Sequence, residues 1–217
     1  MTANGLVLAA GLSSRMGKFK PLMPVGDGTL IESSIQSMLS GGVSHVTVVL
    51  GHRADEVESV LWERFSLQKV GIVYNPHYES TDMLASVKLG VAALPPCEAF
   101  FLLPGDMPAV DENTFFAVCA ALQKTGAKLA FPTLGGWRRH PPLVSSQCIP
   151  SILFFDGYGG LRELWKQYEK DAAEVAVDDT GCLLDTDTPD DYHKLLWYME
   201  QKQHIRYPAL EPEPNTI

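Results

Sequence analysis

The chain has 217 residues, 46% of them hydrophobic and 20% charged, which suits one soluble domain with a core large enough to fold alone. Its net charge of −9 repels polyanions, so neither nucleic acid nor an anionic membrane is an expected partner, and any bound anion must be met by a local basic site. Cys97, Cys119, Cys148 and Cys182 are scattered without a Cys-x-x-Cys pair, which argues against a zinc or redox motif and fits reduced thiols in a cytoplasmic protein.

The first predicted strand is LVLA (6–9). It runs into a small-residue turn that ends in three spaced cations, Arg15, Lys18 and Lys20. Such a turn gathers backbone N–H groups and fixed positive charge at one point, as a nucleoside triphosphate requires. A Walker loop is excluded, because five residues rather than four separate Gly11 from Gly17 and Phe19 follows Lys18. The run Ala9-Ala10-Gly11 lets a base or phosphate approach the backbone closely; the plain alternative is an ordinary strand-to-helix turn with solvated cations.

Thr29 is a predicted cap for a helix with Leu30, Ile31, Ile35, Met38 and Leu39 on its apolar face, stopped by Gly41-Gly42. Strands then read at HVTVVL (45–50), VGIVY (70–74), AFFLL (99–103) and KLAFP (128–132), with helices over 54–65, 83–94 and 111–125 between them. The alternation predicts a mostly parallel α/β sheet with crossover helices. Beyond 132 the pattern weakens into GGWRRHPPLV, followed by helical segments near 159–170 and 188–203. Residues 1–203 are expected to form one domain, and the Pro-rich stretch 204–217 a loosely docked tail.

Three further segments carry chemistry. In FLLPGDMPAV, Asp106 lies just past an apolar strand, where ligands of open α/β sheets gather, and suits Mg²⁺ beside a triphosphate; the alternative is a turn aspartate. In LLDTDTPDDY, Asp190 and Asp191 need only a helix-start explanation, with Pro189 in the first turn. Met83, Val87, Val91 and Leu94 take core spacing on a helix, which leaves Ser86 facing either a ligand or solvent. Arg138, Arg139 and His140 form a basic run suited to a phosphate, or a solvated turn anchored by Trp137.

In order and content these segments resemble the nucleotidyltransferases that join a nucleoside triphosphate to a phosphorylated acceptor, and most closely the molybdenum-cofactor cytidylyltransferases. The matching residues are Leu8, Ala9, Ala10 and Gly11, then Arg15-Met16-Gly17, Lys20 and Leu22. The resemblance implies a Rossmann-like doubly wound sheet with helices on both faces, of the nucleotide-diphospho-sugar transferase type. It further implies that Arg15, Lys20 and Asp106 are catalytic, that the 8–11 run and Ser86 bind the nucleotide, and that Asp106 and Asp187 hold Mg²⁺, with Asp185 behind them. Ala10, where the guanylyltransferase branch carries Gly, favours CTP. Arg138, Arg139 and His140 match the element beside the acceptor, although Arg139 replaces a Gly. The expected reaction is CMP transfer from CTP to molybdopterin, with a molybdenum hydroxylase-type enzyme as the downstream partner. Two alternatives are a cytidylyl- or uridylyltransferase for a sugar or alcohol phosphate, and a non-catalytic molybdenum-cofactor carrier.

Overall fold

The computed structural model describes residues 1–156 and 158–206; the expected tail lies outside the described residues from 207 onward. The elements run β1 (Ala3–Ala9), β2 (Pro24–Val25), β3 (Gly28–Thr29), α1 (Leu30–Ser40), β4 (Val46–Leu50), α2 (Ala54–Arg64), β5 (Val70–Tyr74), α3 (Met83–Ala93) and β6 (Ala99–Pro104). They continue with α4 (Glu112–Thr125), β7 (Leu129–Leu134), β8 (Trp137–Arg138), β9 (Leu143–Ser145), α5 (Ile149–Phe154), α6 (Gly160–Lys166), β10 (Ala172–Ala176) and α7 (Pro189–Arg206).

The main sheet has the order β10-β7-β9-β6-β1-β4-β5, with β8 added to β7. The pairs β1–β4, β1–β6, β4–β5 and β7–β10 are parallel, whereas β9 runs antiparallel between β6 and β7. The first five predicted strands are present. The sequence reading lacked β8, β9 and β10, which are short and mixed in polarity; β10 is only partly buried and carries no long apolar run. The predicted segment after 132 also contains α5, a six-residue helix too short to show a period.

Alternation along the strands divides the core. In β6, Ala99, Phe101 and Leu103 face one layer, with Ile31, Ile35 and Met38 of α1 and Phe115 and Val118 of α4. Phe100 and Leu102 face the other, with Leu84, Val87 and Val91 of α3, Ile152 of α5 and Leu164 of α6. Helices therefore cover both faces, as a parallel sheet requires. The start of α1 is a full capping box: Thr29 accepts from the Glu32 N–H, and Glu32 Oε2 accepts from the Thr29 N–H at 2.8 Å. Because the chain leaves β1 towards β4 and β5 and then returns to β6 on its other side, the winding reverses at β1. Ligands of open α/β sheets bind at such a reversal, beyond the strand C-termini. Among the described residues, no helix is long and apolar enough to cross a membrane.

Candidate functional site

Beyond β1 the chain cannot continue as a helix, because Ser13 and Gly17 both take positive φ, 55° and 68°. The turn is held internally by the Met16 N–H on the Ser13 carbonyl and the Lys20 N–H on Ser13 Oγ, at 3.1 and 3.2 Å. Met16 and Met23 then bury against Leu195 of α7, anchoring the turn from below. A one-turn helix over Lys20–Leu22 sends the Lys20 side chain back under the sheet edge.

Asp106 arrives from β6. Gly105 is required just before it: a Cβ there would lie 2.9 Å from Ile31 Cδ1 and 3.2 Å from the Leu8 carbonyl, to which the Gly105 N–H donates. This close approach brings Asp106 Oδ2 within 2.9 Å of Lys20 Nζ. Asp187, from the segment ahead of α7, places Oδ1 2.7 Å from the same ammonium and Oδ2 2.7 Å from Arg15 Nη1. Residues far apart in sequence thus meet at one point. Burial alone would lower the Lys20 pKa, but hydrogen bonds and charge from Asp187 and Asp106 outweigh it and leave it raised. The Lys20 hydrogen bond holds the Asp187 carboxyl below its ordinary value, with Arg15 helping. Asp185 is pushed the other way, by burial first and then by the charges of Asp187 and Asp106.

Leu8, Ala9, Ala10 and Gly11 line a cavity of about 410 Å³ together with Arg15, Lys20, Ser86 and Asp106. Gly11 faces open space, and a Cβ there would meet nothing within 4 Å. Ser86 is turned inward rather than to solvent, at 5% exposure. Its wall continues through Tyr78, Thr81, Asp82 and Met83; Asp82 also caps α3 by accepting from the Ala85 N–H. Of the acids after 187, Asp191 does cap α7: its Oδ2 accepts from the Thr188 N–H and hydroxyl.

The basic run at 138–140 is divided. Arg138 Nε donates to Glu174 Oε1 of β10 at 2.8 Å, and its guanidinium lies over the Phe131 ring, so its charge is already paired at the sheet edge. Burial lowers the His140 pKa from its ordinary value, against a backbone hydrogen bond at Leu102 and the charges of Asp106 and Asp185. Arg139 Nε and His140 Nδ1 are buried without hydrogen-bond partners among the described residues. With Arg138 paired to Glu174, the three side chains do not act as one positive group.

Two structural residues have only faint sequence signals. Asn75 follows β5 and bonds Thr81 and Ser86; an Asn-Pro pair after a strand signals no more than a turn. Asp179 accepts from the Asp111 N–H, the Thr114 hydroxyl and the Gly181 N–H at 2.8, 2.8 and 3.0 Å, fastening the C-terminal segment beneath α4. Nothing local in DDTGCLL distinguishes it from a solvated acid.

The model of the MobA-like NTP transferase domain matches residues 5–172. The molybdenum cofactor cytidylyltransferase of Escherichia coli strain K12 is 35% identical over 188 residues, covering 86% of this chain and 92% of that protein. Purine catabolism protein PucB of Bacillus subtilis strain 168 is 30% identical over 204 residues, 87% of this chain and 93% of its own. Among solved structures, a nucleotidyl transferase from Methanothermobacter thermautotroptrophicus superposes with a TM-score of 0.78 at 25% identity, over 93% of this chain and 99% of that one.

Proposed function

The chain belongs to the MobA-like NTP transferase domain family and is a nucleotidyltransferase, and we propose that it transfers CMP from CTP to molybdopterin or its metal-loaded form, with release of pyrophosphate. The observation that carries this reading is the convergence of Asp106, Asp187, Lys20 and Arg15, three of which, Arg15, Lys20 and Asp106, line one cavity at the winding reversal of the sheet. The 35% identity to a protein named for that acceptor supports the acceptor class.

The donor set fits Mg²⁺. Asp106 and Asp187 direct two carboxylate oxygens at one cationic centre, and Mg²⁺ takes one or two carboxylates and completes its shell with phosphate and water oxygens. When bound, the ion neutralises charge on the phosphates. In the proposed reaction an acceptor phosphate oxygen attacks the α-phosphorus of CTP; the new P–O bond forms as the bond to the β-phosphate bridging oxygen breaks, and pyrophosphate leaves with that electron pair. Lys20 and Arg15 bind the leaving pyrophosphate and stabilise its growing charge, while the 8–11 backbone holds the nucleotide in line. The acceptor phosphate is already ionised and needs no strong base. Arg139, whose Nε has no partner among the described residues, is the cation proposed to receive it, with His140 as a hydrogen-bonding neighbour.

A panel measuring Mg²⁺-dependent pyrophosphate release from CTP, GTP, UTP and ATP, with and without molybdopterin, tests the reading. Release is expected with CTP only when molybdopterin is present, and Asp106→Ala should abolish it. Turnover of a sugar phosphate with molybdopterin ignored would overturn the acceptor, and wild-type turnover by Asp106→Ala would overturn the metal site.

A further inference from the structure

Resting on the reading of the cavity as a CTP site, we propose that Asn75 is a positioning residue that, by facing Ser86 only as a donor, leaves the Ser86 hydroxyl hydrogen free to be donated towards a pyrimidine carbonyl oxygen.

Asn75 is 3% exposed and continues the sheet ladder by donating its N–H to the Leu50 carbonyl at 2.7 Å. The His77 N–H donates to its side-chain Oδ1 at 3.0 Å, which decides which end of the amide is oxygen. Nδ2 must then face Thr81 Oγ1 at 3.0 Å and Ser86 Oγ at 3.1 Å, and both amide hydrogens are spent. Thr81 closes the loop by donating its own hydroxyl hydrogen to the His77 carbonyl at 2.9 Å. Around this ring of groups one hydrogen is left over. Ser86 Oγ accepts from Asn75, and among the described residues it donates to nothing.

Ser86 lines the same cavity as Ala10 and Lys20. Lys20 and Arg15 mark the triphosphate end, whereas Ala10 and Ser86, 7% and 5% exposed, form a nearly buried wall suited to a flat base. With Asn75 on one of its two lone pairs and its hydrogen uncommitted among the described residues, Ser86 has a donor to offer a ring carbonyl. Asn75 touches neither the nucleotide nor the reacting atoms; it acts through Ser86.

The test is calorimetric titration of the full chain with CTP and with 2-thio-CTP, whose sulfur is a poor acceptor, in the presence of Mg²⁺, alongside steady-state kinetics. Ser86→Ala should weaken CTP binding roughly tenfold, the size of one hydrogen bond inside a closed site. Asn75→Asp should do the same, because a carboxylate accepts the Ser86 hydrogen and turns it from the base. The double variant should be no worse than either single one, since both remove one interaction. KM should rise in each with kcat within about twofold, as no group on the reacting phosphates is altered. Wild-type protein should prefer CTP over 2-thio-CTP, and Ser86→Ala should not. Should Asn75→Asp fail to fold, Asn75→Ala replaces it, with loss of that preference expected and full retention overturning the assignment. Losses that multiply in the double variant would overturn the role of Asn75 alone. A wild-type protein that binds GTP or ATP as well as CTP would overturn the CTP reading, and this assignment with it.

Discussion

Lys20 sits at the junction of two chains of cause. Its side chain is 12% exposed and its ammonium meets two carboxylates, one from the middle of the sequence and one from near its C-terminal end, so each carboxylate is held by a charge that the other shares. Asp187 shows the consequence in pH. Because Lys20 and Arg15 depress its folded pKa below the ordinary 3.8, it stabilises the fold above about pH 3.8, and this contribution disappears as the pH falls through the lower folded value. Asp187→Asn should therefore melt below wild type at pH 7, and the difference should shrink as the pH falls below about 3.8, as read by thermal denaturation from pH 7 to pH 2. A gap that stays constant from pH 7 to pH 2 would mean that the carboxylate is not ion-paired. The signature loop was legible as a turn with spaced cations at Arg15 and Lys20, and Asp106 and Asp187 were legible as acids in their motifs. Their convergence was not, because distances between segments 86 and 167 residues apart depend on how the sheet is wound.

Elements whose local chemistry agreed with their packing were the ones legible in sequence. Helix α1 has a cap, a staggered apolar face and a glycine stop, and it forms where these signals place it. Thr29→Ala should cost about 1 kcal/mol in chemical denaturation, because it removes the hydroxyl bonded to Glu32 and exposes the first-turn N–H groups. The same helix is tied to α2 by Arg64 Nη1, 3.8 Å from Glu32 Oε1, so Glu32 serves both the cap and the helix pair. Strand β9 is the opposite case. With three residues it has no usable period, and its antiparallel place between β6 and β7 comes from ladder bonds that only the assembled sheet supplies.

At the scale of the molecule, the site is completed by a return of the chain. After β10 the backbone passes under α4, where Gly181 packs so tightly that a Cβ would lie 2.1 Å from the Ala109 carbonyl oxygen, and where Asp179 binds the start of α4. Asp187 follows a few residues later. Asp179→Ala should leave buried donors unsatisfied and destabilise the protein by about 1–3 kcal/mol. It should also raise the Mg²⁺ concentration needed for pyrophosphate release, since the segment bearing Asp187 loses its fastening; unchanged Mg²⁺ dependence would separate the clamp from the site. The sequence by itself determined the α/β alternation, the small-residue turn with its spaced cations and the identity of the acids, because these rest on side-chain period, glycine geometry and motif spacing within short windows. Tertiary structure alone decided that Arg138 is paired with Glu174, that burial lowers the His140 pKa, and that Ser86 faces inward with Asn75 behind it. Burial, and the charges that surround a group, are properties of the packed fold and are not carried by any local stretch of residues.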